Sequence, residues 1–234
     1  MKIGILCAGD REAAPYFPWI EHERVTQKAM LSVHEGTIDG MEVAVLFSGV
    51  CKVNAAIAAQ ILIDTYGCSA IINSGTAGAM DERLRIYDTV ISTEAAYHDV
   101  AQGCLTQFHP WLESIYFKAD PALMKCAEQA AHEVELEGKI YSGRMMTGEQ
   151  FIEKDMCAAI SECYTPLCVD METAAVAHVC HVNRIPFVAI RTMTDAPRDG
   201  DEDAFEVNCD RASQISAEIV RRMLALMAQQ YSEI

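Results

Sequence analysis

The sequence predicts an α/β fold in one domain spanning residues 1–234, built on a central, largely parallel sheet with helices on its faces. Three observations carry this expectation. Short apolar, β-prone runs alternate with longer helical stretches along the chain, the pattern of strand–helix–strand units. Apolar residues make up 51% of the 234, enough for a complete buried core. No repeat, low-complexity segment or linker interrupts the alternation.

The first strand is expected over Lys2–Cys7, an apolar run closed by Gly9, Asp10, Arg11 and Glu12. Further strands are expected at 42–47, 70–73, 89–93, 139–147, 167–170 and 186–192, each a short run rich in Val, Ile, Thr or other apolar residues. Helices are expected at 54–66, 121–136, 173–183 and 211–228. Asp120 caps the second of these, with Pro121 in its first turn. The last is the clearest, because Ile215, Ile219, Met223 and Met227 recur every four residues while Glu218, Arg221 and Arg222 face away. Residues 100–117 are the least periodic and carry Phe108, His109, Pro110, Trp111 and Tyr116, which reads as a lid or an interface element.

Composition excludes several function classes. Eighteen basic residues against 34 acidic ones give a formal charge of −16, the wrong sign for nucleic acid or an anionic membrane surface. No run approaches the ~20 apolar residues of a membrane-spanning helix. The N-terminal apolar stretch is too short for a signal peptide, so a cytoplasmic protein is expected. The ten cysteines are scattered without a CxxC pair and read as reduced thiols used as small hydrophobes.

Three carboxylates stand where strands should end. Glu12 follows the first strand, Glu172 closes Val169-Asp170-Met171-Glu172, and Asp195 closes Arg191-Thr192-Met193-Thr194-Asp195. Ligands of open α/β sheets bind at the carboxyl ends of strands, and ionisable groups gathered there are costly unless paired or used. Taken singly, Glu172 could be a solvated acid at a helix start and Asp195 an ordinary turn residue. Together with Glu12 they point to acid/base chemistry. The segment Asn73-Ser74-Gly75-Thr76-Ala77-Gly78 reads as a strand-to-helix turn, as does Ser48-Gly49-Val50-Cys51-Lys52; neither is a Walker or dinucleotide fingerprint. His178 and His181 lie three apart on a helix, but no metal-ligand set accompanies them, so packing histidines are the expectation. His98-Asp99 is either a structural polar pair or part of a site. No Gly-x-Ser-x-Gly elbow supports a serine nucleophile.

Over nearly its whole length the chain resembles the methylthioadenosine/S-adenosylhomocysteine nucleosidases of the purine nucleoside phosphorylase superfamily. The resemblance rests on Met1 to Ile5 with Glu12, Ser48-Gly49-Val50 with Lys52, Ile71 to Gly78, Tyr97-His98-Asp99 and Phe117 to Asp120. It continues through Gly148 to Ile152, Val169 to Glu172, Ala177 to His181, Pro186 to Val188 and Arg191 to Asp195. It implies an α/β domain with a mixed central sheet flanked by helices, acting without metal or organic cofactor on the N-glycosidic bond of 5′-substituted adenosines. Methylthioadenosine and S-adenosylhomocysteine are the implied substrates, with 5′-deoxyadenosine a further candidate and adenine the product. On this resemblance Asp195 is the acid at purine N7 and Glu12 the carboxylate that activates water, with Thr76 and Arg191 near that water. Glu172 and the backbone of Met171 hold the ribose hydroxyls, and Val50 belongs to the substrate pocket. Phe151 stacks on the purine, Ile152 and Thr194 meet its polar edge, and Phe205 closes over the ribose and 5′ group. Such roles require Asp195 to keep its proton near neutral pH and Glu12 to be ionised.

The resemblance also implies a homodimer in which residues 100–115 reach the partner's site. Asn73 stands where the phosphorylases carry an arginine, which favours water as nucleophile. Gly9, Arg11, Cys51 and Asp170 depart from the family pattern of Met, an acid, Gly and Glu, and the 100–115 loop departs as well. The 5′ preference therefore does not follow. A purine nucleoside phosphorylase, a nucleosidase for another 5′-modified nucleoside and a non-catalytic nucleoside-binding protein are the alternatives.

Overall fold

The computed structural model describes residues 1–101, 103–109, 111–152, 154–196 and 203–232. Strands β1 (Lys2–Cys7), β2 (Glu21–Lys28), β3 (Leu31–Ile38), β4 (Met41–Phe47), β5 (Ala70–Ala79) and β6 (Thr89–Tyr97) precede β7 (Phe117–Lys118), β8 (Ile140–Thr147), β9 (Cys168–Asp170) and β10 (Phe187–Asp195). Helices α1 (Asp10–Ala13), α2 (Lys52–Asp64), α3 (Cys104–Phe108), α4 (Pro121–Glu133), α5 (Lys154–Tyr164), α6 (Thr173–Asn183) and α7 (Ala204–Ser232) lie between and after them.

The sheet is mixed, which corrects the largely parallel expectation drawn from alternation alone. β1 pairs in parallel with β4 and β5, β5 with β10, and β8 with β6 and β9. The β2–β3–β4 meander, β5–β9, β6–β7 and β6–β10 are antiparallel. Because β10 pairs with both β5 and β6, the path β5–β9–β8–β6–β10 returns on itself like a small barrel, and β1, β4, β3 and β2 extend from it.

Period-2 alternation along β1 sends Ile3, Ile5 and Cys7 into one core and Leu6 into the other. One core is covered by α2 and α6 through Ala55, Ala59, Leu62, Ala174 and Cys180. The other is covered by α4 and α7 through Leu123, Ala127, Ile215, Ile219 and Met223. The α7 face is the one predicted, although the helix starts seven residues earlier, before its apolar stripe becomes regular. Asp120 caps α4 as expected, its Oδ1 accepting from the N–H groups of Ala122 (2.9 Å) and Leu123 (3.0 Å).

Candidate active site

The carboxyl ends of β1, β5, β8, β9 and β10 converge on a cavity of about 410 Å³. Glu12 reaches it from the last turn of α1 and is 6% exposed. Its Oε2 accepts from the N–H groups of Ala8 (2.7 Å) and Gly9 (3.2 Å), and its Oε1 from the Thr76 N–H (2.7 Å) and hydroxyl (3.0 Å). Four donors fix the orientation of this carboxylate. Room for it comes from Gly75, where a Cβ would clash with the Glu12 carboxylate and lie 2.6 Å from Arg191 Nη1. The segment 73–78 is therefore not a turn, as the sequence suggested, but the middle of β5, paired with β10 through Ala189 to Asp195. Its glycine serves close approach of two side chains, the other reason for glycine in a strand.

Arg191 is fully buried beneath the cavity and does not line it. Three carboxylates surround it: Asp170 at 2.9 Å, Glu12 at 3.6 Å and Glu172 at 3.6 Å. Burial works against its charge, but Asp170, Glu12 and Glu172 together hold its pKa above the ordinary arginine value. Asn73 Oδ1 accepts from Nη2 at 2.9 Å, while the Asn73 amide donates to the Leu6 carbonyl, so a neutral side chain bridges Arg191 to β1.

Asp170 accepts from Thr147 (2.6 Å) and from the N–H groups of Glu172 and Thr173, which ties β8, β9 and the start of α6 together. Glu172 is 3% exposed and accepts from the Cys51 N–H at 2.9 Å. Burial, then the neighbouring Asp170, pushes its pKa up to about 8. It is not a solvated helix-start acid.

Asp195 ends β10 at the opposite wall, half-buried, with the Thr194 hydroxyl 3.2 Å from Oδ1. Desolvation raises its pKa, outweighing the opposing Thr194 hydrogen bond. Gly78 opposes it, where a Cβ would stand 3.2 Å from Oδ1. The phenyl rings of Phe151 and Phe205 meet edge to face across the mouth, with centroids 6.4 Å apart. Phe151 is 64% exposed and lines the cavity.

The phosphorylase superfamily signature matches residues 2–225. The chain belongs to that superfamily. It is 34% identical over 229 residues to the 5′-methylthioadenosine/S-adenosylhomocysteine nucleosidase of Anoxybacillus flavithermus, covering 96% of this chain and 98% of the relative. It is similar to the corresponding nucleosidase of Colwellia psychrerythraea solved in complex with adenine, at 32% identity, TM-score 0.88 and coverage of 96% and 94%. It is also similar to futalosine hydrolase of Helicobacter pylori, at 26% identity, TM-score 0.85 and coverage of 96% and 97%. Within the superfamily the chain is a nucleosidase-family enzyme, an N-glycosyl hydrolase.

Of the residues predicted for the nucleosidase site, Glu12, Val50, Thr76, Phe151, Ile152, Met171, Glu172, Thr194, Asp195 and Phe205 all line the cavity. Arg191 lies behind it. The sequence reading missed Asp170 as the principal partner of Arg191, although it sits inside the flagged motif. It also missed Thr173 and Asn73, which bridge to the same guanidinium. Cys209 lines the cavity one helical turn after Phe205, a relation that i, i+4 spacing could have revealed. Met80 and Cys157, which no motif marked, supply an apolar wall together with Val169.

His178 and His181 pack against Phe117. His178 stacks on Phe117 at 4.5 Å with Nδ1 3.2 Å from the Tyr97 hydroxyl, and Asp99 pairs with Lys52 at 2.8 Å. Among the described residues, no group of three or more His, Cys, Asp or Glu could hold a metal ion, and no helix is long and apolar enough to cross a membrane.

Proposed function

We propose that this nucleosidase hydrolyses the N-glycosidic bond of 5′-substituted adenosines, releasing adenine and a 5′-substituted ribose. One observation carries the reading: three carboxylates converge on a single cavity in three different environments. Water held by Glu12 attacks C1′ as the C1′–N9 bond breaks. Glu12 takes the water proton, and Asp195 delivers its proton to N7, so the purine leaves neutral. The raised pKa of Asp195 supports the donor role, since an acid must keep its proton near the working pH. Glu172, with the Met171 backbone beside it, holds the ribose hydroxyls. Phe151 stacks on the base, Ile152 and Thr194 meet its polar edge, and Phe205 covers the sugar. Arg191 acts from behind by holding Glu12, Asp170 and Glu172 in register. No metal or organic cofactor is required by this chemistry.

Water is favoured over phosphate on charge. Among the described residues lining the cavity Arg11 is the one cation, and it is already paired with Glu206 and Asp210. A phosphate dianion would enter a pocket rich in carboxylates with nothing free to offset it. A homodimer is part of the proposal, with residues 100–115 completing the partner's site.

Methylthioadenosine and S-adenosylhomocysteine are the expected substrates. Gly9 favours a second reading, hydrolysis of a nucleoside with a bulkier 5′ group such as futalosine. Nothing lies within 4 Å of where its Cβ would stand, so that end of the cavity is open. A turnover panel of methylthioadenosine, S-adenosylhomocysteine, 5′-deoxyadenosine, adenosine, inosine and futalosine, run with and without phosphate, separates the readings. Phosphate-independent release of adenine with free ribose product is expected; ribose 1-phosphate would overturn hydrolysis. Asp195→Asn should lower turnover by about 10²–10⁴-fold while the fold survives, the range for loss of a general acid. Undiminished turnover in that variant would remove Asp195 from the acid's role.

A further inference from the structure

We infer that Arg11 is a positioning residue, whose guanidinium latches the first turn of α7 onto α1 and so sets how Phe205 closes over the sugar. The inference rests on the nucleosidase reading above. Consecutive residues of α1 face opposite ways: Glu12 turns into the cavity, and Arg11 turns across its rim toward α7. Arg11 Nε meets Asp210 Oδ1 at 2.5 Å, Nη1 meets Glu206 Oε2 at 2.9 Å, and Nη2 donates to the Glu206 carbonyl at 3.0 Å. All three nitrogens of the fork are engaged.

Glu206 and Asp210 lie one turn apart on α7, next in sequence to Phe205 and Cys209, which line the cavity. A single side chain thus joins the element that carries Glu12 to the turn that carries Phe205. Gly9, at the start of α1, offers no side chain to support that turn. On the outer side of the same turn Val207 is 74% exposed.

A role in global stability is the competing explanation, and the magnitudes disfavour it. The Glu206 and Asp210 side chains are 74% and 77% exposed, and isolated exposed ion pairs contribute little to folding. What a forked arginine does well is fix geometry between two segments. Helix α7 is anchored by buried Cys209, Ile215, Ile219 and Met223 and by the Asn208 amide, which donates to the Thr194 carbonyl at 2.9 Å, so its register in the fold does not need the latch. Its first turn has fewer buried groups, and local order there is where a fork of three contacts has leverage.

The test is steady-state kinetics on the full chain. Arg11→Glu should raise KM for methylthioadenosine about fivefold with kcat little changed, the scale expected for loss of one ordering network. Inhibition by free adenine should be unaffected, because adenine has no sugar for Phe205 to cover. Adding Glu206→Arg and Asp210→Lys to Arg11→Glu reverses both contacts of the fork and should restore KM. Raising salt from about 0.05 to 0.5 M should increase KM of the wild type but not of Arg11→Ala, since screening weakens an exposed pair. An unchanged KM in Arg11→Glu, equal weakening of adenine inhibition, or failure of the reversed contacts to rescue would each overturn the latch. Absence of nucleosidase turnover in the wild type would overturn the reading beneath it, and the latch with it.

Discussion

Burial and then the neighbouring Asp170 push the Glu172 carboxyl up, while Asp170, Glu12 and Glu172 together hold Arg191 charged against the same burial. With its pKa at about 8, first from desolvation and then from Asp170, Glu172 is largely protonated in the free site near neutral pH. A carboxyl raised above its unfolded value contributes its stability fully below that unfolded value and loses it as pH rises through the folded one. The window here runs from roughly 4.5 to 8. Wild-type stability should therefore fall across that window, by an amount on the order of a few kcal/mol, since a tenfold difference in proton affinity between the folded and unfolded chain corresponds to roughly 1.4 kcal/mol. Glu172→Gln removes the titrating proton while keeping the shape. Its Tm should flatten across the window and exceed that of the wild type near pH 9, while turnover of methylthioadenosine falls because the amide offers the two ribose hydroxyls one acceptor oxygen where the carboxylate offers two. A Gln variant whose Tm declines as steeply as the wild type would show that the cost of ionisation lies elsewhere. The pairing of higher stability with lower activity is what a site rich in buried charge predicts.

At the scale of elements, the start of α2 shows strain where the site needs a donor. Cys51 caps this helix with φ 83° and ψ 159°, a region that costs a side-chain-bearing residue ~1–3 kcal/mol. The conformation aims the Cys51 N–H at Glu172. Cys51→Gly keeps the donor and relieves the Cβ, against a loss of ~0.5–1 kcal/mol for glycine's freedom in the unfolded chain. A net gain of about 1 kcal/mol is expected in the urea midpoint at unchanged m-value; a lower midpoint would mean the backbone here is unstrained. The same element shows how far the sequence was legible. Strand ends carrying Glu12, Glu172 and Asp195 were readable because apolar runs stop at acids. The β2–β3 hairpin was not: β2 is a polar, exposed edge strand, and its turn places Ala29 and Met30 at φ 51° and 66° without the usual Asn-Gly signal. The neighbouring Asp39-Gly40 turn did carry the signal for β3–β4 and marks a strand pair that could have been found. Gly75 reads as a turn because glycine has two uses in a strand context, and only the position of Glu12 and Arg191 decides between them. Helix α5 follows the Gly148-to-Ile152 motif but lacked a stripe long enough to stand out.

At the scale of the whole molecule, α2 and α6 pose a burial problem that one chain does not solve. Both are apolar nearly all round, a composition that belongs to helices buried on every side. Yet Val53 and Ile57 on α2 are 66% and 45% exposed, and Val182 on α6 is 48% exposed. Val50, in the loop before α2, is 56% exposed at the edge of the same surface and also lines the cavity. The proposed homodimer would cover this surface, and the exposed Phe108 and Trp111 of the 100–115 segment are suited to meeting a second copy. Electrostatics opposes it, because each chain carries a formal −16, so association should tighten as salt screens the repulsion. Ile57→Glu adds a charge where the apolar contact is needed and leaves the monomer's core untouched. Light scattering should give the mass of one chain for this variant and of two for the wild type. Turnover of methylthioadenosine should fall at least tenfold, since a carboxylate with no partner at a desolvated contact costs more than the ~1.4 kcal/mol equal to that factor. A monomeric variant with full turnover would mean that each cavity is complete within its own chain, and that the apolar surface beside it serves assembly alone.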